Sequence, residues 1–541
     1  MKITECYIDD KKAFMERNIV VPNYNATTLK TETEKHPRWI HFGGGNLYRC
    51  FHAKIAQDLL NENLMDSGIV LVESFGKELI EQVYHPNDNK SLSVVMMADG
   101  SFTRELIAST THASFLNKSN LQDLKFLQNV FENDSLQFVT LTITEKGYVV
   151  KDIAGNLLPY IQEDIQAGAD IAKLNSTLAQ LAYFLYCRFQ KGGKGIALLS
   201  TDNFSHNGDR LKESLQVIIR GWVENKSVPQ AFYSYIFESK KVSFPYSMID
   251  RITPGPSQAI ADKLQADGIE GMNIIKLERG APIAAFVNTE EIYYWAIEDD
   301  FPNGRPPLEK AFGVFMADRE TVNKTDLMKV TTCLNPLHTA LAVNGCLLGY
   351  TSIYDETKNA DLLKLIEKIG YEEGLPVVED PKIINPKQFI DEVIYKRFMN
   401  PNIPDMPQRI ATDTSQKLAI RFGETIKSYM KSSTLDTKSL VFIPYVIASW
   451  CRYLMAIDDA GKAFTPSPDP LYNVLYPNVK DIKLGDKIDV HKHLQPILSN
   501  KQIFGVDLYE AGIAEKVEEI FVMLIQKEGA VATTLHKLLN A

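Results

Sequence analysis

Residues 329–338, KVTTCLNPLH, place a lysine, an asparagine and a histidine in a largely apolar stretch beside a proline. An amine can give or take a proton, a carboxamide N–H can donate to an oxygen, and an imidazole can do either, so Lys329, Asn335 and His338 are candidates for catalysis. The same ten residues also read as a helix start. Pro336 fits best in a first turn, which puts Asn335 near the N-cap and lets it act as a plain cap. At about 100° per residue, Asn335 and His338 lie roughly 60° apart and share a face, whereas Lys329 lies about 120° from Asn335 and has to enter from the preceding turn.

A second cluster, IHFGGGNLYR, sets Gly43, Gly44 and Gly45 between a strand-like run and a helical one. There, residues without Cβ let backbone N–H groups and a helix N-terminus meet a pyrophosphate. Phe42, Asn46 and Leu47 flank the turn, and Tyr48 stands where a G-x-G-x-x-G pattern has its third glycine. Glu73 closes the next strand-like run, where a carboxylate can accept from a ribose 2′-hydroxyl and repel a 2′-phosphate, favouring NAD over NADP. A tight turn without ligand and a surface glutamate are the plain alternatives.

Further polar residues follow later apolar runs. Thr144 and Glu145 open the polar end of TLTITEKGY, and Asp202, Asn203 and Asn207 fall in LLSTDNFSHNGDRL. Ligands of an open parallel sheet lie beyond the carboxyl ends of its strands, so Thr144 and Glu145 are cofactor candidates and Asn203 a substrate candidate, with helix capping as the alternative for the asparagines. FPYSMIDRITPG sets Asp250 and Arg251 among apolar residues, as a substrate contact or an internal ion pair.

The elements that must hold these residues follow from hydropathy. RWIHF, GIVLVES, LQFVTLTIT and GIALLSTDN are near-continuous apolar runs separated by amphipathic stretches, which predicts an α/β fold with a parallel sheet covered on both faces. Beyond about residue 255 helical patterns dominate. We expect a Rossmann-like NAD-binding domain over 1–254 and a mostly α-helical substrate-binding and catalytic domain over 255–541.

At 541 residues, with 45% apolar and 23% charged, the chain has the composition of a soluble globular protein. A net charge of −10 argues against a nucleic-acid partner. The six scattered cysteines contain no C-x-x-C and read as reduced thiols, so no metal site is expected; His491 and His493 read as solvated. Leu440 to Cys451, the most apolar late run, is far shorter than the ~20 residues a bilayer requires. A cytoplasmic monomer or small homo-oligomer is the expectation.

HFGGGNLYR, TLTITEKGY, STDNFSHNGD, FPYSMIDRITP, WAIEDDFPNGRP and LNPLHTALA, in this order from about residue 38 to about residue 420, resemble the polyol-specific long-chain dehydrogenases. This is the mannitol dehydrogenase family, which includes fructuronate and tagaturonate reductases. The resemblance implies metal-independent hydride transfer between NAD and the carbonyl of a polyol, ketose or hexuronate partner. It gives Lys329 the acid–base role, Asn203 and Asn335 the oxyanion donors, and His338 the orientation of the substrate. RIATDTSQK resembles the family's R-I-x-x-D-x-S-x-K run, so Arg409 and Lys417 join Asp250 as expected substrate contacts.

The family places its lysine five residues before the asparagine; here Lys329 precedes Asn335 by six, and the residue five before is Val330. Either a local bulge absorbs the extra residue or the lysine's role weakens. The variation around Cys333 and NPLH points to reduction of fructuronate to D-mannonate, with mannitol 2-dehydrogenase or tagaturonate reductase activity as alternatives. An S-adenosylmethionine-dependent methyltransferase and a non-catalytic NAD or sugar sensor are the other classes.

Overall fold

In a computed structural model, which describes all residues except 117–119, 153 and 278–279, the apolar runs form a six-stranded sheet. Its strands in chain order are β1 Trp39–Phe42, β2 Ile69–Glu73, β3 Thr110–Phe115, β4 Phe138–Leu141, β5 Ile196–Ser200 and β6 Val242–Ser243. All pairings are parallel and the spatial order is 3-2-1-4-5-6, the doubly wound order of dinucleotide-binding folds.

Every residue of β1, β2, β4 and β5 is buried, as a sheet covered on both faces demands. Alternate residues feed two cores. Ile40, Phe42, Val70, Val72 and Leu198 point into one, and Trp39, Ile69, Leu71, Phe138 and Leu199 into the other.

Strands continue beyond residue 255. Phe286–Glu290 pairs parallel with Ser91–Met96, and Tyr294–Glu298 joins Ser247–Asp250 and Val314–Ala317. The chain separates by its own contacts into Met1–Met97 with Ser101–Asn323, and Ala98–Gly100 with Lys324–Ala541. The change of sequence texture near residue 255 thus falls inside the first unit, which holds these later strands. From Lys324 onward the described residues form helices and no strands.

On β1 and the helical turn that follows it, two buried histidines share an aromatic cluster. The rings of His41 and His52 are 4.5 Å apart, with Tyr48 stacked on His41 and Trp295 edge-on to His52. Thr140 Oγ1 lies 2.6 Å from His41 Nδ1, whereas neither ring nitrogen of His52 has a hydrogen-bond partner among the described residues. Burial pushes both histidines down, His52 to about 3, and each ring is therefore neutral in the folded protein.

A depressed folded value means that the unfolded chain takes up protons first. The stability these neutral histidines allow is present above about pH 6.5 and is lost as the pH falls, at up to about 1.4 kcal/mol per pH unit for each ring. We expect the unfolding midpoint to drop between pH 7 and 5 and to drop less steeply in His52→Leu, which removes one titrating ring without orphaning a partner. An equal slope in the variant would remove His52 from this account.

Candidate active site

The glycine turn leaves β1 as the spacing suggested, and each glycine has its own reason. Gly43 adopts φ +105°, and a Cβ there would lie 2.1 Å from the Thr142 carbonyl oxygen, so no other residue fits. The Gly44 N–H donates to Glu73 Oε2 at 2.8 Å. Gly45 is exposed and has nothing within 4 Å of its would-be Cβ.

Tyr48 fills the third-glycine position from inside the core, its hydroxyl 2.8 Å from Thr110 Oγ1. The helix here begins as a π turn, Tyr48–His52, before continuing as Ala53–Asn61. Asn46 braces the turn, donating to the Pro254 carbonyl at 3.0 Å and accepting from Arg49 at 2.8 Å. Phe42 is buried behind it, and Leu47 packs partly into the core.

Glu73 Oε1 accepts from the N–H groups of Ser74, Phe75 and Gly76 at 2.9, 2.9 and 3.2 Å. The carboxylate thereby fixes both the end of β2 and, through Gly44, the glycine turn. It also lines a cleft of about 640 Å³ together with Gly43, Gly45, Thr144, Lys146 and Thr177. Glu145, an exposed residue of the short helix after β4, is not among the lining residues.

Sequence reasoning missed three contributors. Phe75, 72% exposed, presents an aromatic face at the cleft two residues past the strand-end carboxylate. Ser74 and Thr177 join hydroxyls at 2.6 Å across it. The position of Phe75 just past a strand's carboxyl end was the readable signal; Thr177 lies a hundred residues away and carried none.

Asp202 does not cap a helix. Its carboxylate accepts from the N–H groups of Ile143 and Thr144, both at 2.9 Å, and from the Tyr148 hydroxyl at 2.8 Å, tying the β5 loop to the β4 loop. Thr144 is held there at φ +62°, a conformation costly for a β-branched residue. Asn207 is buried and bonds the Ser247 backbone through both ends of its amide, at 2.7 and 3.0 Å. Asn203, between them, is exposed. Asp250 is buried at the end of its strand. Its neighbour Arg251 bonds Thr289 Oγ1 at 2.7 Å and the Glu290 carbonyl, and lies 4.5 Å from the Tyr293 ring centre; an Asp250–Arg251 ion pair is not formed.

In the second unit, Lys329 opens a π turn, Lys329–Cys333, closed by the Leu334 N–H donating to the Lys329 carbonyl at 3.1 Å. A π turn takes one residue more than an α turn to come round, so six residues across it advance about as far as five along an α-helix. The π turn thus offers a place where the extra residue noted in the sequence can be absorbed. Lys329 is 1% exposed, with its amine 3.5 Å from the Asp326 carboxylate, a partner the sequence reading did not name.

The helix Asn335–Leu347 follows. Asn335 is its first residue rather than its cap: Leu334 holds the cap position and no side chain caps the helix. His338 lies one turn on, with Nε2 2.7 Å from Asp405 Oδ2, and Arg409 donates to the other Asp405 oxygen at 2.6 Å. Burial pushes His338 below its ordinary value, with Arg421 and Arg409 acting in the same direction against Asp405. For Asp405, burial acts upward, but His338 and Arg409 outweigh it and hold the carboxyl below its usual range. A neutral ring with its proton on Nε2, facing an ionised Asp405 at 2.7 Å, agrees with both directions and leaves Nδ1 as an acceptor. Lys417 Nζ donates to the Thr412 and Ile410 carbonyls. His491 pairs with Glu518 while staying largely exposed, as expected of a solvated residue, and His493 lies 2.7 Å from the Asn478 carbonyl.

A 3-2-1-4-5-6 parallel sheet with a glycine turn under a strand-end carboxylate, in a chain that also carries a helical unit with a buried lysine, belongs to the class of dinucleotide-dependent oxidoreductases. Within that class the chain belongs to the mannitol dehydrogenase family: residues 37–310 match the mannitol dehydrogenase Rossmann domain and 321–524 the mannitol dehydrogenase C-terminal domain.

Among relatives, the D-mannonate oxidoreductase of Thermotoga maritima is 48% identical over 541 residues, covering 100% of this chain and 99% of its own. The polyol:NADP oxidoreductase of Gluconobacter oxydans is 27% identical, covering 84% of this chain and 86% of its own. A solved structure of Pseudomonas fluorescens mannitol 2-dehydrogenase in a ternary complex with NAD and D-mannitol shares the fold, with a TM-score of 0.70 at 23% identity over the full length of both chains.

Proposed function

We propose that this chain is an NAD-dependent D-mannonate oxidoreductase that reduces the ketone of a hexuronate, fructuronate, to the secondary alcohol of D-mannonate. The observation that carries the reading is the arrangement of Lys329, Asn335 and His338, a buried amine on a π turn that runs directly into the helix bearing the amide and the imidazole. The full-length identity with a D-mannonate oxidoreductase supports the substrate class.

The cleft residues fit a dinucleotide. Gly43 and Gly45 offer backbone without side chains, and the exposed face of Phe75 suits an adenine. Glu73 Oε2 has one hydrogen bond, to Gly44, and keeps capacity for a ribose hydroxyl, while its charge disfavours the 2′-phosphate of NADP. When bound, NADH supplies the hydride.

The chain's own residues do the rest. Asn335 donates N–H to the carbonyl oxygen as negative charge grows on it, with Asn203 assigned the same work, and such donors are the largest single contribution in comparable reactions. Lys329 supplies the proton to that oxygen. His338, fixed by Asp405 with Nδ1 as acceptor, takes a hydrogen bond from a substrate hydroxyl and sets its orientation. The π turn at Lys329 also favours catalysis over a silent sensor, because it accounts for the offset lysine.

The test is loss of NADH absorbance with fructuronate, tagaturonate and fructose. We expect fructuronate to exceed fructose in kcat/KM by at least about 10²-fold, because a site with partners for a charged group rejects an analogue lacking it. Fructose at parity would move the chain to the hexitol branch, and turnover of none of the three would support a sensor.

A further inference from the structure

Beside His338 the helical unit holds two cations, Lys417 and Arg421, neither of them ion-paired to a carboxylate among the described residues. Arg421 lies in a π turn, Ala419–Gly423, and its Nη1–H donates to the hydroxyl of Thr339, the residue after His338. Lys417, one turn earlier, is bonded only to backbone carbonyl oxygens. Among the described residues neither cation has a carboxylate within ion-pairing distance.

Two nearby carboxylates are engaged elsewhere, and a third, Asp413, acts on Lys417 without forming an ion pair. Asp405 holds Arg409 and His338, as described, and Asp469 accepts from Ser415 N–H at 2.8 Å, from the Ser415 hydroxyl and from Leu471 N–H at 2.9 Å. Adjacent cations removed from water are costly unless a counter-charge joins them, and folded proteins normally provide one. The strain shows in their titration. Burial pushes Arg421 down to about 10, and burial with Arg421 and Arg409 beside it outweighs Asp413 and Asp469 and pushes Lys417 down to about 8.

The Nη1–H bond to Thr339 leaves the Nε–Nη2 edge of the guanidinium, whose atoms donate to no other described residue. That edge is the fork that holds a carboxylate bidentately. We propose that Arg421 and Lys417 form an anion subsite for the carboxylate of the substrate, the end of the sugar acid that hydride transfer leaves untouched. Arg421 thereby sets specificity for a uronate over a neutral ketose. The inference rests on the hexuronate reading and names the residues that would enforce it.

The placement supports this assignment. Thr339 follows His338 on the same helix, so a cation held by its hydroxyl lies beside the residue assigned to orient the substrate. Arg409 is different: Asp405 already neutralises it and it is mostly exposed. Lys417 and Arg421 are the pair without an ion-paired carboxylate among the described residues.

Three measurements on the full chain test the subsite. In Arg421→Met we expect kcat/KM for fructuronate to fall by roughly 10²–10³-fold more than for fructose, the usual consequence of truncating one side of a buried charge pair. The loss should fall mainly on KM, because the carboxylate is held alike in ground and transition states. Arg421→Lys, which keeps the charge and loses the fork, should lie between. Equal losses on both sugars would overturn the proposal, since they would show a structural role, as would an undiminished kcat/KM for fructuronate.

Equilibrium titration with D-gluconate separates the subsite from the reading it rests on. If wild type binds D-gluconate, loses that binding in Arg421→Met and yet reduces no uronate, the subsite stands and the hexuronate assignment falls. If wild type reduces fructuronate and Arg421→Met does so equally well, the assignment stands and the subsite falls. Neither binding nor turnover would overturn both.

Discussion

Replacing Lys329 by alanine is expected to lower turnover by roughly 10²–10⁴-fold while NADH binding persists, because the substitution removes a positioned acid and leaves the nucleotide cleft of the other unit untouched. Stability complicates the measurement and has to be separated from the chemistry. Lys329 is buried 3.5 Å from Asp326, and removing one member of a buried pair costs about 3–5 kcal/mol in well-studied cases. Lys329→Met keeps the apolar stem, and Lys329→Met with Asp326→Asn removes both charges together. The double variant should recover much of the lost stability and none of the lost turnover. Near-normal turnover in Lys329→Met, read as kcat for folded and NADH-loaded enzyme, would take Lys329 out of the mechanism and return the chain to a sensor-like reading.

The Rossmann half was legible because its signals are local. Four apolar runs of strand length, each ending in polar or glycine residues, specify a parallel sheet and the edge where a ligand lies, and β1, β2, β4 and β5 are those runs. The strands Phe286–Glu290 and Tyr294–Glu298 were not legible. FVNTE and YWAIE carry polar residues within short segments, and Phe286–Glu290 is a strand because it pairs with Ser91–Met96, almost two hundred residues earlier. Periodicity contains no information about such a partner.

The helical half shows a different limit. The offset of Lys329 from Asn335 could be counted, but a π turn and an α turn have the same apolar pattern over five residues, so how the extra residue is absorbed could not be read. Arg421 was invisible for another reason. An arginine four residues after a lysine is ordinary on any helix, and only its tertiary setting, a hydroxyl partner and no ion-paired carboxylate among the described residues, distinguishes it. Likewise Asp202 and Asn207 read as turn residues by type, and their tertiary partners Ile143, Thr144 and Ser247 give them their work. Residue type is a weak guide to function wherever the partner is distant in sequence.

Asn335 is where the structural and catalytic explanations predict opposite outcomes. Were it a cap, Asn335→Ala would cost about 1 kcal/mol of stability and little else. The structure gives the cap position to Leu334, and the Asn335 side chain makes no capping hydrogen bond, so alanine should leave the unfolding midpoint nearly unchanged. Loss of a donor aimed at the oxyanion should instead lower kcat and kcat/KM together by roughly 10²–10³-fold, because the bond strengthens only as charge develops. Asn335→Asp sharpens the contrast. A carboxylate at the first position of a helix interacts favourably with the helix dipole and should hold or slightly raise stability. The same carboxylate faces the growing oxyanion with a like charge and no N–H, so its turnover should fall below that of the alanine variant. A stability loss in both variants with turnover preserved would show that Asn335 only shapes the helix start, and would leave Lys329 and His338 acting on a substrate oriented by other groups.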